Sequence, residues 1–598
     1  MQVIRQDLTC LADNASFDIV VVGAGGAGMS AALFAAIAGQ RVLLVERTEY
    51  VGGTTARSAG TTWVPGTHHA ASVNPADTLA DAARYMTNAI GDRSPAAMRQ
   101  AFLDNGAQAV ALVESKSDLK YRPYPKHPDY ISDLGGSTLN GRALEPLPFD
   151  GRLLGDLLGL VRPPIPEFTV LGGMMVDRND VNHLLGMTKS LGSLRHSARI
   201  ISRHLLDRLR HTRGTRLVMG NALVGRLLYS LSKHDAVTLA LNTSVEDIGR
   251  GEGGGIESVT LSQGGLRKTV RITAGLVLAS GGFNRHPSLR KEMLPRIAPE
   301  WSPAAPGHTG EAHDLARGIG AHYGSGGLTH AFWAPVSTRQ RPDGSVAAFP
   351  HFVMDRAKPG MLTVNKAGKR FVNESTSYHL FGLSMQQAHQ ASPSVPAYLV
   401  CDAKALRKYG IGMVRPGGKG LAPFLADGYL VQGRTLDELA GKLGIDAAGL
   451  KASVGQMNGY AATGIDPDFQ RGVTAYQHNI GDATAGNKNP NLGALTQAPY
   501  YAIRIYPGDI GASTGLATDT DARVLDKDDR PIPGLYAVGN DMHSIMGGVY
   551  IAPGITLGPG LVFAYIAARH AAARGAGRAK ASAVDRVPRQ RQAAELAA

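Results

Sequence analysis

Short apolar runs that end in glycine turns set the frame of this chain. Phe17-Asp18-Ile19-Val20-Val21-Val22 is apolar and β-branched, the pattern of a strand buried on both faces. The turn Gly23-Ala24-Gly25-Gly26-Ala27-Gly28 follows. Residues 30–39 are alanine-rich and predict a helix packed closely on a sheet; 41–45 predict a second strand, closed by Glu46. Helical periodicity returns over about 75–115, whereas 121–147 carries tyrosines and prolines with little period and predicts a lining loop. Residues 237–241, 258–261 and 270–272 predict strands around the glycine turn 251–255, and 275–283 is another apolar strand running into Gly281-Gly282. From about 332 to 507 the pattern is mixed, with a hairpin-like stretch at 362–371 and helices near 436–462. Residues 535–541 resume the first style, and 556–570 predict a closing helix. The expected fold class is therefore α/β: a Rossmann-like domain split in sequence (1–330 and 512–573), an inserted α+β cap domain (331–511), and a basic disordered tail (574–598).

One segment breaks the alternation. Within 187–235, Leu191, Leu194, Ala198, Ile201, Leu205 and Leu209 recur at helical spacing, with Arg195, Arg199, Arg203, Arg208 and Arg210 between them. Three readings stay open: a helix docked on its own domain, an interfacial helix resting on an anionic membrane, or a partner-protein site. The net charge of +13 sits largely here and in the tail. Neither region has the interleaved aromatics of a nucleic-acid surface, so no nucleic-acid partner is expected. No apolar run is long enough to cross a bilayer. The N-terminus lacks a signal core, and the two cysteines, Cys10 and Cys401, make no disulfide framework. A cytoplasmic enzyme is expected, with a peripheral seat at the inner face of the membrane if the basic helix is interfacial. His308, His313, His330 and His351 read as structural, and no metal is expected.

The turn after the first strand carries specific chemistry. Gly23 permits the tight turn, Gly25 lets backbone approach a pyrophosphate, and Gly28 lets helix and strand pack closely. The helix N-terminus faces phosphate charge, and Glu46, 18 residues beyond Gly28, is placed to accept a ribose hydroxyl. The next loop, Gly52-Gly53-Thr54-Thr55-Ala56-Arg57-Ser58-Ala59-Gly60, presents backbone N–H groups and hydroxyls to the same ligand.

With the Gly281-Gly282 turn and Gly539-Asn540-Asp541, the chain resembles the fumarate reductase/succinate dehydrogenase flavoprotein superfamily from about 17 to 570. The resemblance implies a two-dinucleotide-binding domain for FAD. It adds Gly26, Ala27, Arg47, Val245, Ser280, Thr556 and Leu557 to the expected cofactor residues. Members that attach FAD covalently use a histidine where this chain has Thr54-Thr55-Ala56-Arg57-Ser58, so non-covalent FAD is expected. Fumarate reductases resemble the stretch Gly368-Lys369-Arg370-Phe371-Val372-Asn373-Glu374 and place an arginine four residues after its acid. Here Tyr378 stands there, which argues against a dicarboxylate substrate.

Tyr130, Tyr378 and the run Tyr550-Ile551-Ala552-Pro553-Gly554 together resemble the 3-oxosteroid Δ1-dehydrogenases. Those enzymes use three tyrosines and a glycine N–H, here Tyr130, Tyr378, Tyr550 and Gly554. The family more often has Tyr-Pro-Gly-Pro-Gly or Tyr-Ala-Gly-Ala-Gly there, so Ile551 and Ala552 are expected to reshape the pocket wall. The implied reaction introduces a C1–C2 double bond next to a ketone. Tyr550 and Gly554 would hold the carbonyl oxygen, Tyr378 would take the α-proton, and Tyr130 would relay it. The alternatives are a Δ4-type steroid dehydrogenase, a desaturase of smaller cyclic ketones, and an ene-reductase. The implied partners are a steroid-like cyclic ketone and an external, quinone-like electron acceptor.

Overall fold

The computed structural model describes residues 1–12 and 14–585, with side chains as far as residue 577. The strand Ser16–Val22 lies inside a nine-stranded sheet. From one edge the order is Gln2–Ile4, Val237–Ala240, Val42–Val45, Ser16–Val22, Leu266–Leu278, Ile256–Gln263 and Ser244–Arg250. Pro531–Ala537 pairs in parallel with Leu266–Leu278, and Arg523–Leu525 flanks it. Both neighbours of Ser16–Val22 run parallel to it, and Ile19, Val20 and Val21 are fully buried. That burial on both faces is why this run is continuously apolar rather than alternating. The helix Gly26–Ile37 starts directly off the strand. A Cβ on Gly28 would sit 1.8 Å from the Gly23 carbonyl oxygen, so only glycine permits this approach of helix to strand.

Strands between residues 331 and 512 build a second, antiparallel sheet of six. Its order is Val346–Pro350, Ala331–Gln340, Tyr500–Ala512, Ala397–Asp402 and Met361–Val364, with Val431–Gly433 also on Tyr500–Ala512. The helix Tyr378–Ala391 packs against this sheet.

Four expectations need correction. Residues 270–272 and 275–278 are not separate strands but parts of one, Leu266–Leu278. Its outer half pairs antiparallel with Ile256–Gln263 and its inner half parallel with Ser16–Val22, with an irregularity between Ile272 and Gly275. The change of partner switches the burial pattern and made one strand read as two. The stretch 362–371 is no hairpin, since Met361–Val364 pairs with Ala397–Asp402.

The 187–235 segment is two unlike helices. Leu191–Arg208 buries Ser197, Ile200, His204 and Asp207, while its leucine stripe faces outward: Leu191 is 84% exposed and Leu209, just past its end, 80%. The helix does dock on its own domain, but through Ile200 and Ile201, which pack with Met174 and Val176, and not through the leucines. Met219–Ser232 is instead a buried helix. It touches the loop after the second strand, where the Gly220 N–H donates to Ser58 O at 3.0 Å and Asn221 Nδ2 to Ala56 O at 2.6 Å. Finally, the closing helix runs Leu557–Asp585, past residue 574 where the expected disordered tail begins; the rest of that tail, 586–598, lies outside the described residues. Among the described residues no helix is long and apolar enough to cross a membrane.

Candidate active site

Three loops from distant parts of the chain bring Tyr130, Tyr378 and Tyr550 into one buried cluster. Tyr378 opens the helix Tyr378–Ala391, which Ser377 caps by accepting from the Leu380 N–H at 3.3 Å. Just before it, Glu374 is a brace, fully buried between Arg370 (2.8 Å) and Arg471 (3.1 Å). Tyr130 is fixed by its neighbour Asp129, which accepts from Trp63 Nε1 at 3.0 Å and Arg142 at 2.9 Å; Arg142 also pairs with Asp77 at 2.6 Å. The Tyr130 N–H donates to the carbonyl of Ile551, beside Tyr550. Ile551 and Ala552 are themselves fully buried.

Within the cluster the Tyr130 hydroxyl lies 3.2 Å from that of Tyr378. The Tyr550 ring stands 5.1 Å from Tyr378 and stacks on Tyr130 at 5.9 Å. Phe332 closes on Tyr550 and Phe352 on Tyr378, both edge-on. The sequence reading missed a fourth phenol: the ring of Tyr476, fully buried, lies 4.7 Å from Tyr130. It also missed Arg356, a fully buried guanidinium held by the carbonyls of His351, Phe352, Glu374 and Thr376. No spacing links these residues to the three phenols; a tyrosine alone is usually a packing residue.

Gly554 sits four residues beyond Tyr550 with φ +89°, and a Cβ there would fall 2.4 Å from Thr61 O. Its carbonyl accepts from Trp63 N–H and Gly558 N–H. Among the described residues its own buried N–H has no acceptor. Buried amides are nearly always paired, so this one is open to a further acceptor.

Burial pushes the Tyr130 and Tyr378 phenols well above 10 and also raises Tyr550. For Tyr130 the Arg356 charge and the bond to Tyr378 work in the opposite direction. Burial raises Tyr476 to about 12, with Arg356 again opposing. At rest all four are neutral O–H groups.

The residues expected to hold a dinucleotide gather at the C-terminal ends of the parallel strands Ser16–Val22, Val42–Val45 and Leu266–Leu278. Gly23, Glu46, Arg47, Val245 and Ser280 line one cleft, together with Gly307 and Thr309. Thr55 Oγ1 accepts from the Gly26 N–H at 3.1 Å, and Thr54 Oγ1 lies 3.2 Å from His308 Nε2. Gly52, Gly53, Gly60, Gly281, Gly282 and Gly539 all take positive φ. Ser58 holds its own loop through the Gly60 N–H, and Ala59 points outward. The starts of two helices meet: a Cβ on Gly26 would lie 3.4 Å from Leu557, next to Thr556, while Ala27 abuts Gly539. A Cβ on Gly25 would meet nothing within 4 Å. Open backbone at a helix start is what a diphosphate needs, so these residues fit FAD.

Two of the expected cofactor side chains also hold the backbone around them. Glu46 accepts from Ala24 N–H and from Thr48 N–H, both at 3.0 Å, so it shapes the turn as well as facing the cleft. Asp541 is fully buried and bonds Ser280 N–H (2.5 Å), Gly282 N–H (2.8 Å) and His313 (3.0 Å). It clamps the Gly281 turn; neighbouring Asn540 packs on Gly282. His313 thus has an acid partner, as does His351, which lies 2.6 Å from Asp355 and 2.9 Å from Ser337.

A parallel-sheet dinucleotide cradle beside a buried phenol cluster defines a flavoprotein oxidoreductase. Residues 18–557 match the family described as FAD binding domain, and the chain belongs to that family, in the branch that holds the 3-oxosteroid 1-dehydrogenases. It is 37% identical over 587 residues to a 4-oxocyclohex-2-ene-1-carboxylate 5-dehydrogenase of Sinomonas cyclohexanicum, covering 97% of this chain and 98% of that protein. It is 35% identical over 577 residues to a 3-oxosteroid 1-dehydrogenase of Mycolicibacterium smegmatis, covering 94% and 98%. The solved 3-ketosteroid Δ1-dehydrogenase of Sterolibacterium denitrificans, in complex with 1,4-androstadiene-3,17-dione, is similar with a TM-score of 0.87 and 33% identity, over 93% of this chain and 99% of that one.

Proposed function

We propose that this chain is an FAD-dependent 3-oxosteroid 1-dehydrogenase. The observation that carries the reading is the Tyr130–Tyr378 hydroxyl pair packed against Tyr550, with the unpaired Gly554 N–H four residues further along the chain. In this reading the first sheet and the closing helix are the FAD domain, split in sequence, and the 331–511 segment is the cap that brings Tyr378 over it. Bound FAD, held non-covalently, supplies the acceptor for the hydride that leaves the β-carbon. Tyr550 O–H and Gly554 N–H hold the ketone oxygen as it gains enolate charge, and a phenol that stays neutral is the right donor for that task. Once the Tyr378–Tyr130 pair has lost a proton through Tyr130, the Tyr378 phenolate takes the proton from the α-carbon and becomes a neutral phenol again, and Tyr130, bonded to it, carries that proton onward. Because the two hydroxyls share one hydrogen bond, the pair rather than either residue is the base. An external, quinone-like electron acceptor completes the turnover.

The exposed leucines of Leu191–Arg208, flanked by arginines, suit an anionic lipid surface at the cytoplasmic face of a membrane, where an apolar ketone would be drawn from. The second reading, a desaturase of smaller cyclic ketones, is favoured by the 37% identity to the cyclohexenone carboxylate enzyme. Anaerobic mixing with androst-4-ene-3,17-dione decides between them. Bleaching of the flavin with formation of the 1,4-diene supports the first; silence there with bleaching by 4-oxocyclohex-2-ene-1-carboxylate supports the second.

A further inference from the structure

His68, His69 and Glu114 form a group outside the phenol site with no task in the reaction. His68 opens the short helix His68–Val73, and Glu114 lies in the last turn of Ala96–Lys116. Both imidazoles aim at the same oxygen: His69 Nε2 is 2.8 Å and His68 Nε2 3.3 Å from Glu114 Oε2. The two rings lie 4.0 Å apart. All three ligand atoms fall within 4.8 Å of one another. The other carboxylate oxygen accepts from the Tyr121 N–H at 2.8 Å, so Glu114 is oriented from behind as metal-binding carboxylates are.

Glu114 is 9% exposed, and among the described residues its carboxylate ion pairs are these two histidines. The ammonium of nearby Lys120 donates to the Glu114 backbone carbonyl instead. Two imidazole nitrogens and one carboxylate are a donor set of three-ligand zinc sites, with metal–ligand distances of about 2.1 Å. Donors so placed stand roughly 3.4 Å apart in a tetrahedron, against 2.8 and 3.3 Å for the two histidine–carboxylate pairs, so the ion would move His69 back from Glu114 slightly. The His68 side chain, 57% exposed, gives an entry path and leaves the fourth position to water.

We propose that His68, His69 and Glu114 form a binding site for a borderline-soft divalent cation, best matched by Zn²⁺, that ties the helix His68–Val73 to the helix Ala96–Lys116. The short helix ends at Asn74, whose Nδ2 donates to Thr138 Oγ1 at 2.8 Å on the loop that carries Asp129 and Tyr130. The bound ion therefore braces that loop from outside and takes no part in the chemistry. Hard cations such as Mg²⁺, which favour all-oxygen shells, do not substitute for it.

The test uses tag-free, full-length, FAD-loaded protein stripped with EDTA. Zn²⁺ competition against a chromogenic indicator is expected to show one equivalent bound, and Zn²⁺ but not Mg²⁺ raises the melting temperature. Co²⁺ gives visible bands of a tetrahedral N,O site beyond the flavin absorption. His68→Ala, at an exposed position, leaves flavin content and melting temperature of the metal-free protein unchanged but weakens Zn²⁺ binding by at least the ~10-fold typical of a lost supporting partner. Glu114→Gln does the same to binding. No stoichiometric Zn²⁺ uptake, or equal affinity in wild type and both variants, overturns the site.

Discussion

The backbone N–H of Tyr130 donates to the carbonyl of Ile551 at 2.8 Å, which ties the loop carrying one phenol to the segment carrying another. The same carbonyl accepts the buried hydroxyl of Tyr85 at 2.6 Å, and that hydroxyl in turn accepts from the Ile131 N–H at 3.2 Å. Tyr85 is thus a clamp across the two segments. Tyr85→Phe leaves the Ile131 N–H unpaired inside the protein, which costs about 1–3 kcal/mol. We expect a lower melting temperature together with a fall in kcat larger than the change in KM, since the clamp orients Tyr130 against Tyr550. A variant with reduced stability but wild-type turnover would deny it the orienting task.

Tyr378→Phe removes the hydroxyl that meets the α-proton and leaves the ring packing against Phe352 and Tyr550. FAD content and fold should be unchanged. The rate of flavin reduction by androst-4-ene-3,17-dione is expected to fall by ~10²–10⁴, the usual contribution of a positioned acid or base. Rapid mixing under anaerobic conditions measures this step apart from reoxidation. Undiminished bleaching would move the base elsewhere.

Burial fixes the direction of the pH dependence. The base must lose its proton before it can act, and the cluster phenols are raised above 10. The fraction of ionised pair therefore grows as pH rises, and kcat/KM should climb from neutral to about pH 10 without levelling. Arg356 favours the ionised form of Tyr130. Arg356→Gln should move the profile to still higher pH, while Arg356→Lys, which keeps the charge, should move it less. A profile flat between pH 7 and 9 would contradict a phenolic base.

Much of this arrangement is legible along the chain because it rests on local rules. The strand–glycine turn–strand unit at 17–46 needs small residues at fixed places, and Gly28 against Gly23 O is visible as a spacing. The three phenols could be named from runs of residues around each. What stayed hidden depends on contacts across hundreds of positions. Tyr476 and Arg356 carry no local signature, and the clamp of Asp541 on Ser280 spans 261 residues. The amphipathic pattern at 191–209 gave the helix but not its orientation, because periodicity shows a stripe without showing what faces it. The structure buries the polar Ser197, His204 and Asp207 side instead; Asp207 accepts from the Thr215 N–H and hydroxyl.

That orientation makes a prediction of its own. Replacing Leu205, Leu206 and Leu209 by serine removes exposed apolar surface and no core contact, so melting temperature and turnover of a soluble substrate should stay within error. Co-sedimentation with vesicles containing anionic phospholipid should drop, and the wild-type interaction should weaken with added salt, as screening of the arginines requires. Equal sedimentation of both proteins would remove the lipid surface from the list of partners.

Gly554 offers the sharpest test of the ketone-binding donors. Its φ of +89° disfavours any side chain, and a Cβ would press on Thr61 O at 2.4 Å. Gly554→Ala must therefore rotate or shift this peptide and take the open N–H away from its place. Loss of one such donor lowers turnover by ~10²–10³. Because Gly554 lies only two residues before Thr556, and Leu557 packs on the Gly26 helix start, FAD content is measured for this variant alongside turnover. Tyr550→Phe removes the partner donor without backbone strain, so the two variants separate chemistry from distortion. If the ketone oxygen sits between these two groups, the 1,4-diene product should bind more weakly to both, and the charge-transfer or difference spectrum of the product complex measures that directly. Wild-type product affinity in Tyr550→Phe and Gly554→Ala together would place the ketone somewhere else.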